Sequence, residues 1–160
     1  MYAKLNFNVG KDLAPVIFAT DTPLMFAANV GASFNNVKEM IAYSRSVAGG
    51  LSYASPGLAT VNHVVAERFA LESGAKLVHV PYNGGGPALI DVIGGQVPFM
   101  FLTVAASLPH VKGGRVIALG VSSAKRSPAL SPSRRSRSDN SQTMNAMNKT
   151  NMAKSARPFE

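Results

Sequence analysis

Short apolar segments alternate with segments of helical periodicity along the first 123 residues of the chain. Each apolar segment is brief and is bounded by glycine, proline or polar turn residues, which is the pattern of a strand buried in a sheet. We predict strands over 16–20, 24–30, 51–55, 76–80, 97–102 and 116–122. The segments between most of them have the periodicity of helices.

Four helices are predicted. The first begins at Asn36, which can cap it while Glu39 reaches back to the Asn36 amide, and it ends before Gly49 and Gly50. Its core face consists of Val37, Met40, Ile41, Ser44 and Val47. The second covers 60–73, and the residues available to the core are Val61, Val64, Val65, Phe69 and Leu71. Short helices are predicted over 87–93 and 105–112. This alternation predicts an α/β fold with a mostly parallel sheet flanked by helices.

The length and composition limit the class of protein. A chain of 160 residues fits one domain and is too short for two complete lobes. Because the chain has no cysteine, disulfides and thiolate chemistry are excluded. The apolar runs are much shorter than the roughly 20 residues that span a bilayer. Residues 1–7 lack the pattern of a secretory signal peptide, so we expect that the chain as written is not exported.

The net charge of +8 is concentrated in the C-terminal part. Residues 1–123 contain eight basic and six acidic side chains, whereas residues 124–160 contain eight and two. Residues 131–160 are rich in polar residues without apolar periodicity, so we predict a disordered basic tail. Arg134, Arg135 and Arg137 could neutralise phosphates, and non-specific nucleic-acid binding through this tail is therefore an alternative function.

Two loops that lead from a strand into a helix are candidates for binding an anion. In the first, Ser55 and Thr60 can donate hydrogen bonds beside unpaired helix amides, although hydroxyl residues at a helix start are usually plain caps. The second contains Gly84, Gly85 and Gly86, which permit close approach to the backbone or simply form a flexible turn. Parallel strands bring such loops together at their carboxyl ends. The two loops together therefore predict an anion site.

The other polar residues give no sign of catalysis. His63, His79 and His110 lack the spacing of metal ligands, so we predict no metal and no cofactor. Glu67 and Asp91 lie on separate helices and do not form an evident acid–base pair. We therefore do not expect an enzyme.

Several motifs in order resemble Bug-type receptors, the substrate-binding components of tripartite tricarboxylate transporters. The longest are Leu51-Ser52-Tyr53-Ala54-Ser55-Pro56-Gly57 and Val78-His79-Val80-Pro81-Tyr82-Asn83-Gly84-Gly85-Gly86-Pro87-Ala88-Leu89. Shorter ones lie at 11–16, 62–63, 94–97, 108–114 and 122–130. The resemblance covers residues 2–130 or so, the middle of such a receptor.

This resemblance implies a partial periplasmic-binding-protein-like domain over 1–130, one lobe of type II (Venus-flytrap), from a two-lobed protein. It also implies a small carboxylate ligand in the cleft between lobes, a periplasmic location, the transporter's membrane components as partners, a monomer and no enzymatic activity. Carried onto this chain, the ligand-binding positions are Ser55, Gly57, Ala59, Thr60, His63, Tyr82, Gly84, Gly85 and Pro87. His63 and Pro87 are expected to support the loops.

The chain also departs from the family pattern. By comparison with that pattern, we expect the family's N-terminal part, with its signal peptide and a further ligand loop, to be missing, half of the cleft to be absent, and the location to be cytoplasmic if Met1 is the true start. Ala59 stands where glycine is common. After Leu130 the family pattern is lost, and we hypothesise that a frameshift produced the tail over 131–160.

Overall fold

A five-stranded sheet is the centre of the part of the chain that the structure describes. The computed structural model describes residues 8–14, 16–17 and 22–123. The strands are β1 (Leu24–Asn29), β2 (Leu51–Ser55), β3 (Leu77–Pro81), β4 (Phe99–Thr103) and β5 (Val116–Val121), in the order β3-β2-β4-β1-β5. Five of the predicted strands are therefore confirmed, with ends that differ by at most two residues.

Four of the five strands run in the same direction. β2 pairs in parallel with β3 and β4, whereas β1 pairs antiparallel with both β4 and β5. The α/β fold with a mostly parallel sheet is confirmed, with β1 as the one reversed strand of this sheet. The reversal of β1 could not be predicted from the order of strands and helices, because that order does not determine the direction in which each strand crosses the sheet.

The remaining sequence predictions concern the two ends of the chain. The predicted strand over 16–20 is wrong at its two described residues, Val16 and Ile17, which are exposed and lie outside any strand. The rest of that segment lies outside the described residues. The N-terminal residues 1–7, the boundary near 130 and the tail over 131–160, with Arg134, Arg135 and Arg137, also lie outside them and stay predictions.

Five helices occur in the described part of the chain: α1 (Val9–Asp12), α2 (Val37–Ser46), α3 (Val61–Ser73), α4 (Gly85–Ile93) and α5 (Val104–Lys112). The last four confirm the predicted helices. Asn36 caps α2 by accepting from the Glu39 amide, but the Glu39 carboxylate accepts from the Asn35 amide and the Asn36 side chain and not from the Asn36 amide. None of these described helices is long and apolar enough to cross a membrane.

Helices cover both faces of the sheet. Val37 and Met40 of α2 and Phe69 of α3 pack on one face, where the largest buried rings also lie. Leu89 of α4 and Val104 of α5 pack on the other face. Alternate residues of β1 enter the two layers, which explains why this strand reads as a continuous apolar run.

The buried face of α3 differs from the one predicted. Val61, Val64 and Leu71 are exposed, with 86% of Leu71 accessible, whereas Asn62, Ala66 and Phe69 are buried. Of the predicted core residues, Phe69 is buried and Val65 packs partly against the core. The helix carries apolar residues around much of its circumference, so periodicity alone did not select the inner face. The buried residues include Asn62, whose side-chain amide donates to the Phe101 carbonyl over 2.7 Å.

Candidate functional site

The two predicted loops lie side by side at the carboxyl ends of β2 and β3. The β2–α3 loop (56–60) and the β3–α4 loop (82–84) follow strands that pair in parallel. The Tyr82 amide donates to the Ser55 carbonyl and the Gly84 amide donates to the Pro56 carbonyl, each over 3.0 Å. These bonds continue the β2–β3 ladder beyond the strands. The two loops are therefore one connected backbone unit.

The hydroxyl of Ser55 is buried and already has partners within the protein. Its Oγ lies 3.0 Å from the Gly57 carbonyl oxygen, 3.2 Å from the Gly57 amide nitrogen and 2.6 Å from Nε2 of His79. Ser55 itself has no solvent-accessible surface. The hydroxyl thus holds the backbone of the loop at Gly57. Direct contact of Ser55 with a ligand stays a prediction.

Thr60 caps α3 and holds the same turn. Its hydroxyl donates to the Gly57 carbonyl over 2.8 Å and accepts from the His63 amide over 3.4 Å. The His63 ring supports the loop from within the helix, because Nδ1 of His63 accepts from the Ala59 amide over 3.1 Å. The roles of His63 and Thr60 in ligand binding both stay predictions.

Ala59 has a backbone φ of 59°, in the left-handed region that favours glycine. Ala59→Gly should therefore raise the free energy of unfolding, by up to about 1 kcal/mol, since glycine's greater freedom in the unfolded chain offsets part of the relief. Urea denaturation measures the change. Ala70→Gly within α3 is the control, and it should lower stability by roughly 0.5–1 kcal/mol. A loss of stability in Ala59→Gly would contradict the prediction.

The β3–α4 loop presents backbone and little side chain. Gly84 has φ 117° and ψ 168°, a conformation that only glycine adopts readily, and it begins α4 without a side-chain cap. Gly85 follows as the first residue of α4, two residues before the predicted start, and Pro87 is exposed in the first turn, where its expected supporting role stays a prediction. Tyr82 donates its hydroxyl to the Asp91 carboxylate over 2.8 Å, and this bond, with burial and the negative charge, raises the Tyr82 pKa.

The first turns of α3 and α4 leave backbone amides available at this edge of the sheet. Within the described residues, the N–H groups of Val61 and Asn62 in α3 and of Gly85 and Gly86 in α4 have no hydrogen-bond acceptor. Neither first turn carries an acidic residue that would compete for the positive end of the helix dipole. These four amides, at the edge of the sheet where the paired loops lie, are here called the rim, and the binding of an anion to the rim stays a prediction.

A cluster of polar rings lies beneath the β2–α3 loop. The His79 ring stacks on that of His63, with centroids 3.9 Å apart and planes at 13°, and on that of Tyr53, with centroids 5.2 Å apart. Tyr53 donates to the Glu67 carboxylate over 2.7 Å, and Nε2 of His63 lies 3.7 Å from the same oxygen. Sequence reasoning missed this cluster, because the pairing of Tyr53 with His79 depends on the register of β2 and β3.

Burial shifts the pKa of two residues of this cluster, His79 and Tyr53. It lowers the pKa of His79, as does the nearby His63, while the Glu67 charge acts in the opposite direction. Burial also raises the pKa of Tyr53, reinforced by the hydrogen bond to Glu67, so Tyr53 remains a donor.

His79 and Ser55 resemble a serine–histidine pair, but the buried Ser55 oxygen is inaccessible to a substrate. The described residues include no group of three side chains suited to a metal.

The fold defines a lobe of the periplasmic-binding-protein type, with the two candidate loops at the carboxyl ends of parallel strands. The chain belongs to the tripartite tricarboxylate transporter receptor family, whose model matches residues 1–152. The family resemblance predicted from the sequence is confirmed, and the match extends beyond residue 130, where the motifs noted in the sequence end.

Individual relatives agree with this assignment. Protein BugT of Bordetella pertussis is 32% identical over 121 residues, which cover 76% of this chain and 37% of BugT. A Rhodopseudomonas palustris protein solved with adipate has a TM-score of 0.67 and 28% identity, over 78% of this chain and 42% of its own. MatC from Rhodopseudomonas palustris with bound malate has a TM-score of 0.69 and 26% identity, over 79% and 43%. The chain thus spans less than half the length of these relatives.

Proposed function

We propose that this chain supplies one side of the ligand cleft of a solute-binding receptor and binds a small carboxylate at the paired loops, without enzymatic activity. The observation that carries the proposal is that the starts of α3 and α4, with their unpaired amides, lie at the same edge of the sheet and follow two loops that are joined by backbone hydrogen bonds. Backbone amides at a helix start bind anions without a basic side chain. The rim thus offers donors suited to a carboxylate.

The related structures support the choice of ligand class. Two family relatives above 25% identity were solved with dicarboxylates, adipate in one and malate in the other. A dicarboxylate needs donors at both ends, and this chain spans only 42–43% of those proteins. We propose that the rim binds one carboxylate group and that a second lobe binds the other. Binding to this chain alone is then weak.

The cellular setting of the proposal follows from the family. We propose a periplasmic receptor that delivers its ligand, as a monomer, to the membrane components of a tripartite transporter. The nucleic-acid alternative rested on the arginines of the tail, which lie outside the described residues, and the family relationship gives it no support.

A matched pair of substitutions at Gly86 tests the proposed anion site. A Cβ at Gly86 would have no atom within 4 Å, so both Gly86→Glu and Gly86→Gln can be accommodated. In wild type, malate or adipate at ten times its Kd should stabilise the chain by about 1.4 kcal/mol, a rise in Tm of roughly 3–6 °C. The carboxylate of Gly86→Glu would occupy the rim and should abolish this rise, while Gly86→Gln should retain most of it.

The controls distinguish anion binding from general effects. Adipamide, the uncharged diamide of adipate, should leave Tm unchanged in every variant. The amides of Val61, Asn62, Gly85 and Gly86 should show the largest NMR shifts on titration with malate. Equal responses of the two Gly86 variants, or shifts confined to other parts of the chain, would rule out the paired loops as the carboxylate site.

A further inference from the structure

His79 lies outside the rim but is connected to it through Ser55. It is the third residue of β3 and faces α3, beside Tyr53 of the neighbouring strand. The 2.6 Å contact of its Nε2 is the shortest of the three that the Ser55 oxygen makes. A buried hydroxyl with one proton and three partners has little freedom to rotate. The imidazole therefore fixes the position of this oxygen.

Ser55 in turn fixes the loop that leads into α3. The Ser55 oxygen holds both the amide and the carbonyl of Gly57. The Gly57 carbonyl also accepts from Thr60, the cap of α3. From Thr60 the chain of contacts returns through His63, whose amide Thr60 caps and whose ring stacks on His79. The stacked rings of His79 and His63 thus link the contacts at the two ends of the β2–α3 loop, at Ser55 and at Thr60.

We propose that His79 is a positioning residue for carboxylate binding, which acts through Nε2 and Ser55 to hold the β2–α3 loop and, with it, the start of α3, whose amides belong to the rim. This inference rests on the proposed function. Ser55 and Gly57 can satisfy each other without His79, so the imidazole is not needed merely to pair a buried hydroxyl. Its contribution is to select one conformation of the turn.

Three substitutions separate the hydrogen bond from the packing of the ring. In His79→Gln the side-chain amide nitrogen can take the place of Nε2, whereas the shorter side chain in His79→Asn reaches only the position of Nδ1. His79→Phe keeps an aromatic ring for stacking on His63 and Tyr53 but has no nitrogen. Glutamine and asparagine differ by one methylene group, so this pair is a matched comparison of Nε2 alone.

The test uses two readouts on the full chain. NMR amide exchange should become about tenfold faster at Gly57 and Ala59 in His79→Asn and His79→Phe, and should stay within about twofold of wild type in His79→Gln. The affinity for malate should follow the same order, with about a tenfold loss in the asparagine and phenylalanine variants. Amides of β4 should exchange at the wild-type rate in every variant that folds.

Equal exchange rates at Gly57 in the glutamine and asparagine variants would overturn the proposal. If an asparagine variant does not fold, Ser55→Ala and the double variant Ser55→Ala/His79→Phe replace it, and identical exchange at Ala59 in the two is then expected. A second contribution of His79→Phe on top of Ser55→Ala would contradict action through Ser55. Wild type that binds neither malate nor adipate would refute the proposed function, while amide exchange would still decide the role of His79.

Discussion

Phe101→Ala should lower the free energy of unfolding by about 3–5 kcal/mol, a large part of the roughly 5–15 kcal/mol that stabilises a domain. Phe101 lies in the central strand β4 and is fully buried. Its ring contacts Phe26 at a centroid distance of 4.0 Å and lies 6.1 Å from Phe69 of α3. Truncation opens a cavity between the sheet and that helix, because neighbouring rings relax only partly.

Urea denaturation of Phe101→Ala gives the change in stability directly. Leu71→Ala is the control, since the exposed Leu71 side chain should contribute no more than about 0.5 kcal/mol. The proposed affinity of the rim for a carboxylate should also fall, because the Asn62 side chain of α3 donates to the Phe101 carbonyl of β4. A loss below about 1 kcal/mol for Phe101→Ala would mean that the ring layer does not form as described.

Gly50→Ala is the second substitution with a large expected effect. Gly50 has φ 96°, and a Cβ there would lie 2.9 Å from the backbone carbonyl oxygen of Lys76. That carbonyl accepts from the Leu51 amide at the start of the β2–β3 ladder. Backbone strain and steric overlap therefore act together, and we expect a loss of about 2–4 kcal/mol.

The neighbouring glycine provides the matched control. Gly49 has φ 82°, but a Cβ there would have no atom within 4 Å. Gly49→Ala should therefore show the conformational cost alone, on the order of 1–2 kcal/mol. The difference between the two variants, measured by thermal and urea unfolding, gives the steric part. Equal losses would show that Lys76 does not restrict this turn.

Much of the fold could be predicted because the relevant signals are local. Asn36 caps its helix, and short apolar segments bounded by turn residues form the strands. The reversed direction of β1 and the inner face of α3 could not be predicted in this way. Both depend on how distant segments pack, as in the hydrogen bond between Asn62 and the Phe101 carbonyl.

The candidate site likewise has features that could be predicted from the sequence and features that could not. That two loops after parallel strands meet at one edge could be predicted from their sequence and order. The buried state of Ser55 and its contact with His79 could not, because they depend on the register of two strands and the approach of a helix. Only part of the observation at Ala59 could be predicted. Its departure from the family pattern is visible in the sequence, whereas the positive φ that explains why glycine suits the position is seen only in the structure.

The two hydrogen bonds that join the loops, from Tyr82 to Ser55 and from Gly84 to Pro56, affect the thermodynamics of binding. A ligand that orders two independent loops loses affinity to the entropy of immobilising each one. Here two backbone hydrogen bonds connect the loops. A carboxylate bound as we propose would therefore find the two helix starts in a fixed relative position, and little of its interaction free energy would be spent on ordering the protein.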